Sequence, residues 1–134
     1  DLHTSTLNQH LVYELVRDGL LERHIPLLRQ AYGQRRDVML AALAKYFPEE
    51  VSWTRPEGGM FLMVTLPRGL DAAEVLKEAL LMKVAFVPGG EFYLDGSGNN
   101  TLRLNFSNAQ PPWIEEGIER LGKLLQDLVQ ERAL

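Results

Sequence analysis

Near the middle of the chain, six of the seven residues 60–66 are apolar, and the run follows directly on Pro56-Glu57-Gly58-Gly59. Seven residues are too few for a buried helix, and a proline followed by two glycines is a turn composition, so the run reads as a strand. Its lack of alternation implies cover on both faces. A chain with such a strand must be built around a sheet. Residues 51–55, on the far side of the turn, are expected to pair with it antiparallel.

Residues 101–107 carry a different signal, strict alternation. Leu102, Leu104 and Phe106 fall on one face, and Thr101, Arg103, Asn105 and Ser107 on the other. Arg103 is thereby set away from the core. Residues 84–87 make a further short apolar strand. Residues 88–100 hold four glycines, two asparagines and one proline and read as a loop, the kind of segment in which function often resides.

Helical spacing accounts for the rest. Leu7, Leu11, Val12 and Leu15 define a short amphipathic helix over residues 5–18, with Gly19 as its stop. A second helix is expected from Leu20 to about Phe47, with a kink or restart at Pro26, a straight segment over 26–46, and Pro48 as the exit. Asp71 with Glu74 three residues later matches a helix-start capping pattern, and Val75, Leu76, Ala79 and Leu80 supply the apolar stripe of the helix that follows. Lys83 stands near its C-terminal end, where the helix dipole favours a cation. The last helix is expected to begin at Pro111 or Pro112 and to bury Ile114, Ile118, Leu121, Leu125 and Leu128. Glu116 with Arg120 and Glu119 with Lys123 are spaced for exposed ion pairs. Two helices, two strands, a helix, two strands and a helix predict an α+β fold, a small mainly antiparallel sheet packed against helices, over residues 1–134 as a single domain.

Composition narrows the function classes. In 134 residues, 46% of them hydrophobic, there is material for one sizeable core. Fourteen basic against eighteen acidic residues leave the chain mildly acidic, and Arg35-Arg36 alone is too little to neutralise a row of phosphates, so no nucleic-acid partner is expected. The chain has no cysteine, hence no disulfide or thiolate metal site, which fits a reducing compartment. With no charged leader and no apolar run of spanning length, neither export nor membrane insertion is indicated, and the cytoplasm is the expected location. His3, His10 and His24 form no metal-binding pattern. Gly89-Gly90 with Gly96 and Gly98 lacks the Lys-Ser or Lys-Thr of a phosphate cradle, and no nucleophile elbow is present.

Three motifs stand in order: Arg55-Pro56-Glu57-Gly58-Gly59-Met60-Phe61, then Val84-Ala85-Phe86-Val87-Pro88-Gly89-Gly90, then Thr101-Leu102-Arg103-Leu104-Asn105-Phe106. Together they resemble the C-terminal small domain of fold-type-I, pyridoxal-phosphate-dependent aminotransferases, in the branch of the 2-aminoadipate and kynurenine enzymes. Arg23-His24-Ile25-Pro26-Leu27-Leu28-Arg29, Tyr32 and Arg35-Arg36-Asp37 resemble the long helix that bridges the two domains of these enzymes, so the resemblance covers nearly the whole chain. It implies that Arg103 holds the α-carboxylate of the substrate, a role that suits the planar fork of a guanidinium. Phe61, in an almost wholly apolar strand, reads as core or pocket wall, and it is the second candidate substrate-binding residue beside Arg103.

The family's cofactor-bearing lysine follows a Ser- or Thr-containing loop, whereas Lys45, Lys77, Lys83 and Lys123 follow Ala, Leu, Met and Gly. The resemblance therefore implies a large pyridoxal-phosphate-binding domain upstream of Asp1, and no catalytic residue within these 134. It implies amino-acid and 2-oxo-acid substrates, a homodimeric parent, and no transamination by this chain alone. Two alternatives remain: the effector domain of an aminotransferase-like DNA-binding regulator, and a non-catalytic dimerisation module in which Arg103 is incidental.

Overall fold

The first element is a single 26-residue helix, α1 (Leu21–Tyr46), in a computed structural model that describes residues 21–92 and 97–133. The helix expected over residues 5–18 lies outside the described residues. Of the kink or restart expected at Pro26, the restart does not occur, since α1 continues through the proline. The proline's missing N–H removes one i→i−4 hydrogen bond, a loss the helix tolerates. Met39, Ala42 and Leu43 form the buried stripe of α1, and Phe47 N–H closes its last turn on the Leu43 carbonyl at 3.0 Å.

The elements that follow are β1 (Ser52–Trp53), β2 (Phe61–Thr65), α2 (Ala72–Leu81), β3 (Val87–Pro88), a 3-10 turn (Gly89–Phe92), β4 (Thr101–Asn105) and α3 (Pro111–Ala133). The four strands lie in the order β1-β2-β4-β3 and every pairing is antiparallel. The expected α+β architecture is borne out, as are the pairing across the turn at residues 56–59 and the start of the last helix at Pro111.

Strand ends depart from the expectation for local reasons. Residues 51–55 contribute only Ser52–Trp53 to the sheet, because beyond Trp53 the Thr54 hydroxyl accepts from Met63 N–H at 3.0 Å in place of a backbone carbonyl. Trp53 holds this edge by packing edge-on to Phe47, with ring centroids 5.9 Å apart. Residues 84–87 contribute only from Val87, because Val84 N–H is already committed to the carbonyl of Ala79 at the end of α2. Pro88 is tolerated because β3 is an edge strand.

In register, Leu62 faces Leu104 and Val64 faces Leu102, all four on the face that packs against the helices. Expected cover on both faces of β2 is not what the described residues provide. Leu62 and Val64 are 1% and 0% exposed, whereas Phe61 and Met63, on the opposite face, are half-buried. The helix layer completes the core with Val75 and Ala79 from α2 and Ile114, Ile118, Leu121 and Leu125 from α3. Leu128, expected with them, is only partly buried.

Asp71 caps α2 as anticipated, its carboxylate accepting from Ala73 N–H at 2.8 Å. Glu74 does not complete the capping box and turns instead to Lys77 at 3.1 Å. Leu80, expected in the buried stripe, is 53% exposed. The stripe is Ala72, Val75 and Ala79, and Leu80 lies about 100° further round the helix. The end of α2 is a Schellman motif: Val84 N–H reaches the Ala79 carbonyl and Lys83 N–H the Leu80 carbonyl, both at 3.0 Å, with Lys83 itself at φ 63°. Arg120 of α3 donates to the Met82 carbonyl at 3.0 Å and pairs with Glu116 at 2.7 Å, tying this cap to the last helix.

Where α3 crosses the end of α1, a Cβ at Gly122 would stand 2.6 Å from the Tyr46 carbonyl oxygen and 2.9 Å from its carbon. Those atoms are backbone and cannot swing aside. Five residues earlier, a Cβ at Gly117 would meet nothing within 4 Å. Gly117→Ala should therefore stabilise the fold by about 1 kcal/mol through helix propensity alone. Gly122→Ala should instead destabilise it, because overpacking against backbone costs about 1–3 kcal/mol and outweighs the same gain. Urea unfolding of the two variants checks the opposite signs. By the same measurement Lys83→Gly should stabilise by about 1 kcal/mol, since a side chain at positive φ is strained where glycine is not.

Candidate functional site

On the sheet face turned away from the helices, β4 runs between β2 and β3, and Arg103 stands at its middle, opposite Met63 on one side and Val87 on the other. Sequence alternation anticipated this placement. The guanidinium carbon of Arg103 lies 4.2 Å from the centroid of the Phe61 ring, so the two residues singled out in the sequence are brought into direct contact. A guanidinium over an aromatic face is attracted by the ring quadrupole and has its plane fixed by the stack. The N–H donors of a guanidinium lie in its plane, a geometry that suits a planar, two-oxygen anion.

The surroundings are apolar on the sheet and polar at one end. Phe61, Met63 and Val87 are half-buried, as is Arg103. At the end of β4, Asn105 Oδ1 accepts from both Ser107 N–H and Ser107 Oγ–H at 2.7 Å, an Asx turn that fixes how the chain leaves the sheet. Gly89 and Gly90 belong to the turn laid across the start of β4. A Cβ at Gly89 would collide with Thr101 Oγ1 and stand 3.0 Å from the Thr101 carbonyl oxygen, and one at Gly90 would be 2.8 Å from Asn99 Oδ1. Packing requires the glycine at 89, whereas at 90 only the movable end of the Asn99 side chain stands in the way. Gly58 and Gly59 are different: a Cβ at either would meet nothing within 4 Å, and only Gly59, at φ 80°, needs its residue type for conformation.

Two residues matter more than the sequence reading allowed. Arg35 Nη1 donates to the Ser107 carbonyl at 3.0 Å, and Arg36 Nη1 donates to the Glu57 carbonyl at 2.7 Å. The pair joins α1 to the turn ahead of β2 and to the chain beyond β4, at the same end of the sheet. Adjacent basic residues on a long helix look like a solvated surface, and nothing in their spacing points to carbonyls 21 and 72 residues away. Beside them a cavity of about 290 Å³ is lined by Arg29, Tyr32, Arg36, Gly58 and Phe106 among others. A second cavity of similar size, between Trp113, Val84 and Arg120, includes neither Arg103 nor Phe61.

Among the described residues there is no cluster of three or more His, Asp or Glu able to hold a metal ion, and no helix long and apolar enough to cross a membrane.

No family model matches the chain. The 2-aminoadipate transaminase of Thermus thermophilus is 46% identical to it over 129 residues, 96% of this chain and 32% of that protein. The crystal structure of a multiple substrate aminotransferase from Thermococcus profundus superposes with a TM-score of 0.81 at 41% identity, covering 92% of this chain and 30% of that one. An alpha-aminoadipate aminotransferase from Thermus thermophilus, solved with N-(5'-phosphopyridoxyl)-L-leucine, gives a TM-score of 0.81 at 46% identity, covering 97% of this chain and 33% of that one. At lower identity, 29% over 129 residues, the chain also matches an HTH-type transcriptional regulator of Bacillus subtilis. The chain spans roughly a third of the length of the curated enzymes it matches.

Proposed function

Because the chain belongs to the fold-type-I aminotransferases, whose C-terminal part it matches, we propose that it forms the small domain of a pyridoxal-phosphate-dependent enzyme. That enzyme moves an amino group between an amino acid and a 2-oxo acid. In this reading Arg103 anchors the substrate's α-carboxylate and Phe61 lines the same pocket. The observation that carries it is the guanidinium of Arg103 set at the centre of an outward sheet face and stacked 4.2 Å from the Phe61 ring. Two parallel hydrogen bonds to the carboxylate fix the acid end of the substrate, and fixing one end orients the remainder. Binding and orientation are what these residues contribute.

Pyridoxal phosphate, when bound, supplies the chemistry of amino transfer, and it needs a lysine to hold it. The four lysines of this chain do not fit that task. A lysine that attacks a carbonyl at neutral pH is activated by a lowered pKa. Lys45 is shifted the other way, held above its ordinary value first by hydrogen bonding to Tyr46 and also by the Glu115 carboxylate. Lys77 pairs with Glu74, Lys83 is exposed in the cap of α2, and Lys123 is exposed on α3. None stands on the sheet beside Arg103. In this reading the cofactor is attached outside these residues.

The regulator alternative is disfavoured by identity, 29% against 46% for the enzyme. The interaction-module alternative leaves the stacked Arg103 and Phe61 pair without a use.

Two outcomes are expected. Titrating the purified chain with pyridoxal phosphate should give no saturable adduct and no transamination, as followed by absorbance and borohydride trapping. A stoichiometric adduct at one lysine would overturn the assignment of cofactor attachment. In the full-length enzyme, Arg103→Lys keeps the charge and loses the fork, which should cost about 1.5–3 kcal/mol of carboxylate recognition, roughly ten- to a hundredfold in kcat/KM. An amine lacking the carboxylate should be unaffected. Equal losses for acid and amine, or no loss at all, would remove Arg103 as the anchor.

A further inference from the structure

Arg36 is used by the fold in a way that reaches the candidate site. We propose that it is a positioning residue for that site: by holding the Glu57 carbonyl it sets where Phe61 lies against Arg103. The inference rests on the reading of Arg103 as carboxylate anchor.

The segment ahead of Phe61 has little of its own to define it. Residues 57–60 are exposed, Gly58 and Gly59 bring no side chains, and the space around their missing Cβ atoms is empty to 4 Å. Glycine also carries the largest backbone entropy, so such a turn is ill-determined unless something outside it takes hold. Packing does not, since Glu57, Gly58 and Gly59 border the cavity of about 290 Å³ shared with Tyr32 and Arg36. Two hydrogen bonds from elsewhere bracket the segment. Phe106 N–H donates to the Met60 carbonyl at 3.0 Å, extending the ladder, and Arg36 Nη1 donates to the Glu57 carbonyl at 2.7 Å.

The second bond has the character needed for a fixed point. It is short and charge-assisted, a stronger class than a neutral pair. Its donor is half-buried, with Nε kept in place by Asp37 at 3.2 Å. It also springs from a helix whose own position is set by Met39, Ala42 and Leu43 in the core. Arg35, the preceding residue, holds Ser107, two residues beyond Asn105, and Asn105 is the register partner of Phe61. Helix α1 thus grips the chain on both sides of the Phe61–Asn105 pair. Loosening the Glu57 end leaves the start of β2 fixed only through its ladder, and the Phe61 ring loses its set position over the guanidinium.

Arg36→Met keeps the aliphatic stem and removes the donors, while Arg36→Lys restores one charged donor. In NMR spectra of this chain, ring-current shifts of the Arg103 side-chain protons report the Phe61 stack directly. They should collapse toward random-coil positions in Arg36→Met and return in Arg36→Lys. In the full-length enzyme, Arg36→Met should raise KM for the amino acid about three- to tenfold with kcat within about twofold, leave the amine analogue unchanged, and be rescued by Arg36→Lys. Unchanged Arg103 shifts would overturn the proposal. So would a fall in kcat at constant KM, the sign of a smaller folded fraction. If the shifts collapse as expected but neither Arg36→Met nor Arg103→Lys alters KM for the acid, the anchor reading fails, and with it the role of Arg36 in the reaction.

Discussion

Leu102, Leu104 and Phe106 are driven into the core, and the period of two along a strand then forces Arg103 and Asn105 onto the other face. Each of the three apolar side chains gains about 1.5–3 kcal/mol by leaving water. A slip of one residue would expose all three and bury an arginine, so the core alone decides where the guanidinium stands. The partner strand repeats the vote, because Leu62 and Val64 face Leu104 and Leu102 on the same side. Arg103 is therefore an outward cation on a rigid strand, with its height above the sheet and its neighbours fixed by the buried residues of the opposite face.

Around this frame the elements are joined largely through backbone. Arg35, Arg36 and Arg120 donate to the carbonyls of Ser107, Glu57 and Met82, each close to the end of a strand, turn or helix. Gly122 lets α3 lie directly on the last carbonyl of α1. A guanidinium bound to a carbonyl has no titratable acceptor, unlike one bound to a carboxylate. Arg36 and Arg120 also pair with the carboxylates of Asp37 and Glu116, so two of these three joints share a titratable partner.

The parts of the fold legible in the sequence are those written as a period or a cap. Alternation over residues 101–107 gave the buried face of β4 and the outward Arg103, the Asp71 cap located the start of α2, and Pro111 located the start of α3. What escaped depends on groups distant in sequence or on competition for one donor. Strand β3 is short because the Schellman motif takes Val84 N–H, and β1 is short because a threonine hydroxyl replaces a carbonyl in the ladder. Leu80 belongs to the apolar composition of α2 but not to its buried arc. Arg35 and Arg36 show their use only once α1 is laid beside the turn at residues 57–59, and no local pattern encodes that meeting.

The uninterrupted apolar run of residues 60–66 retains a meaning even though the described residues cover only one of its faces. Phe61 and Met63 remain half-exposed beside Arg103, so the side that β2 presents to the cation is apolar. Under the proposed reading this contrast matters. At physiological salt the field of exposed charges fades within about 8 Å. Selection of a carboxylate must therefore come from contact. When a substrate and whatever carries it cover Phe61 and Met63, water leaves the neighbourhood of the guanidinium and each charge-assisted bond strengthens as the local dielectric falls. The apolar residues of β2 would then set the strength of the bond that Arg103 makes.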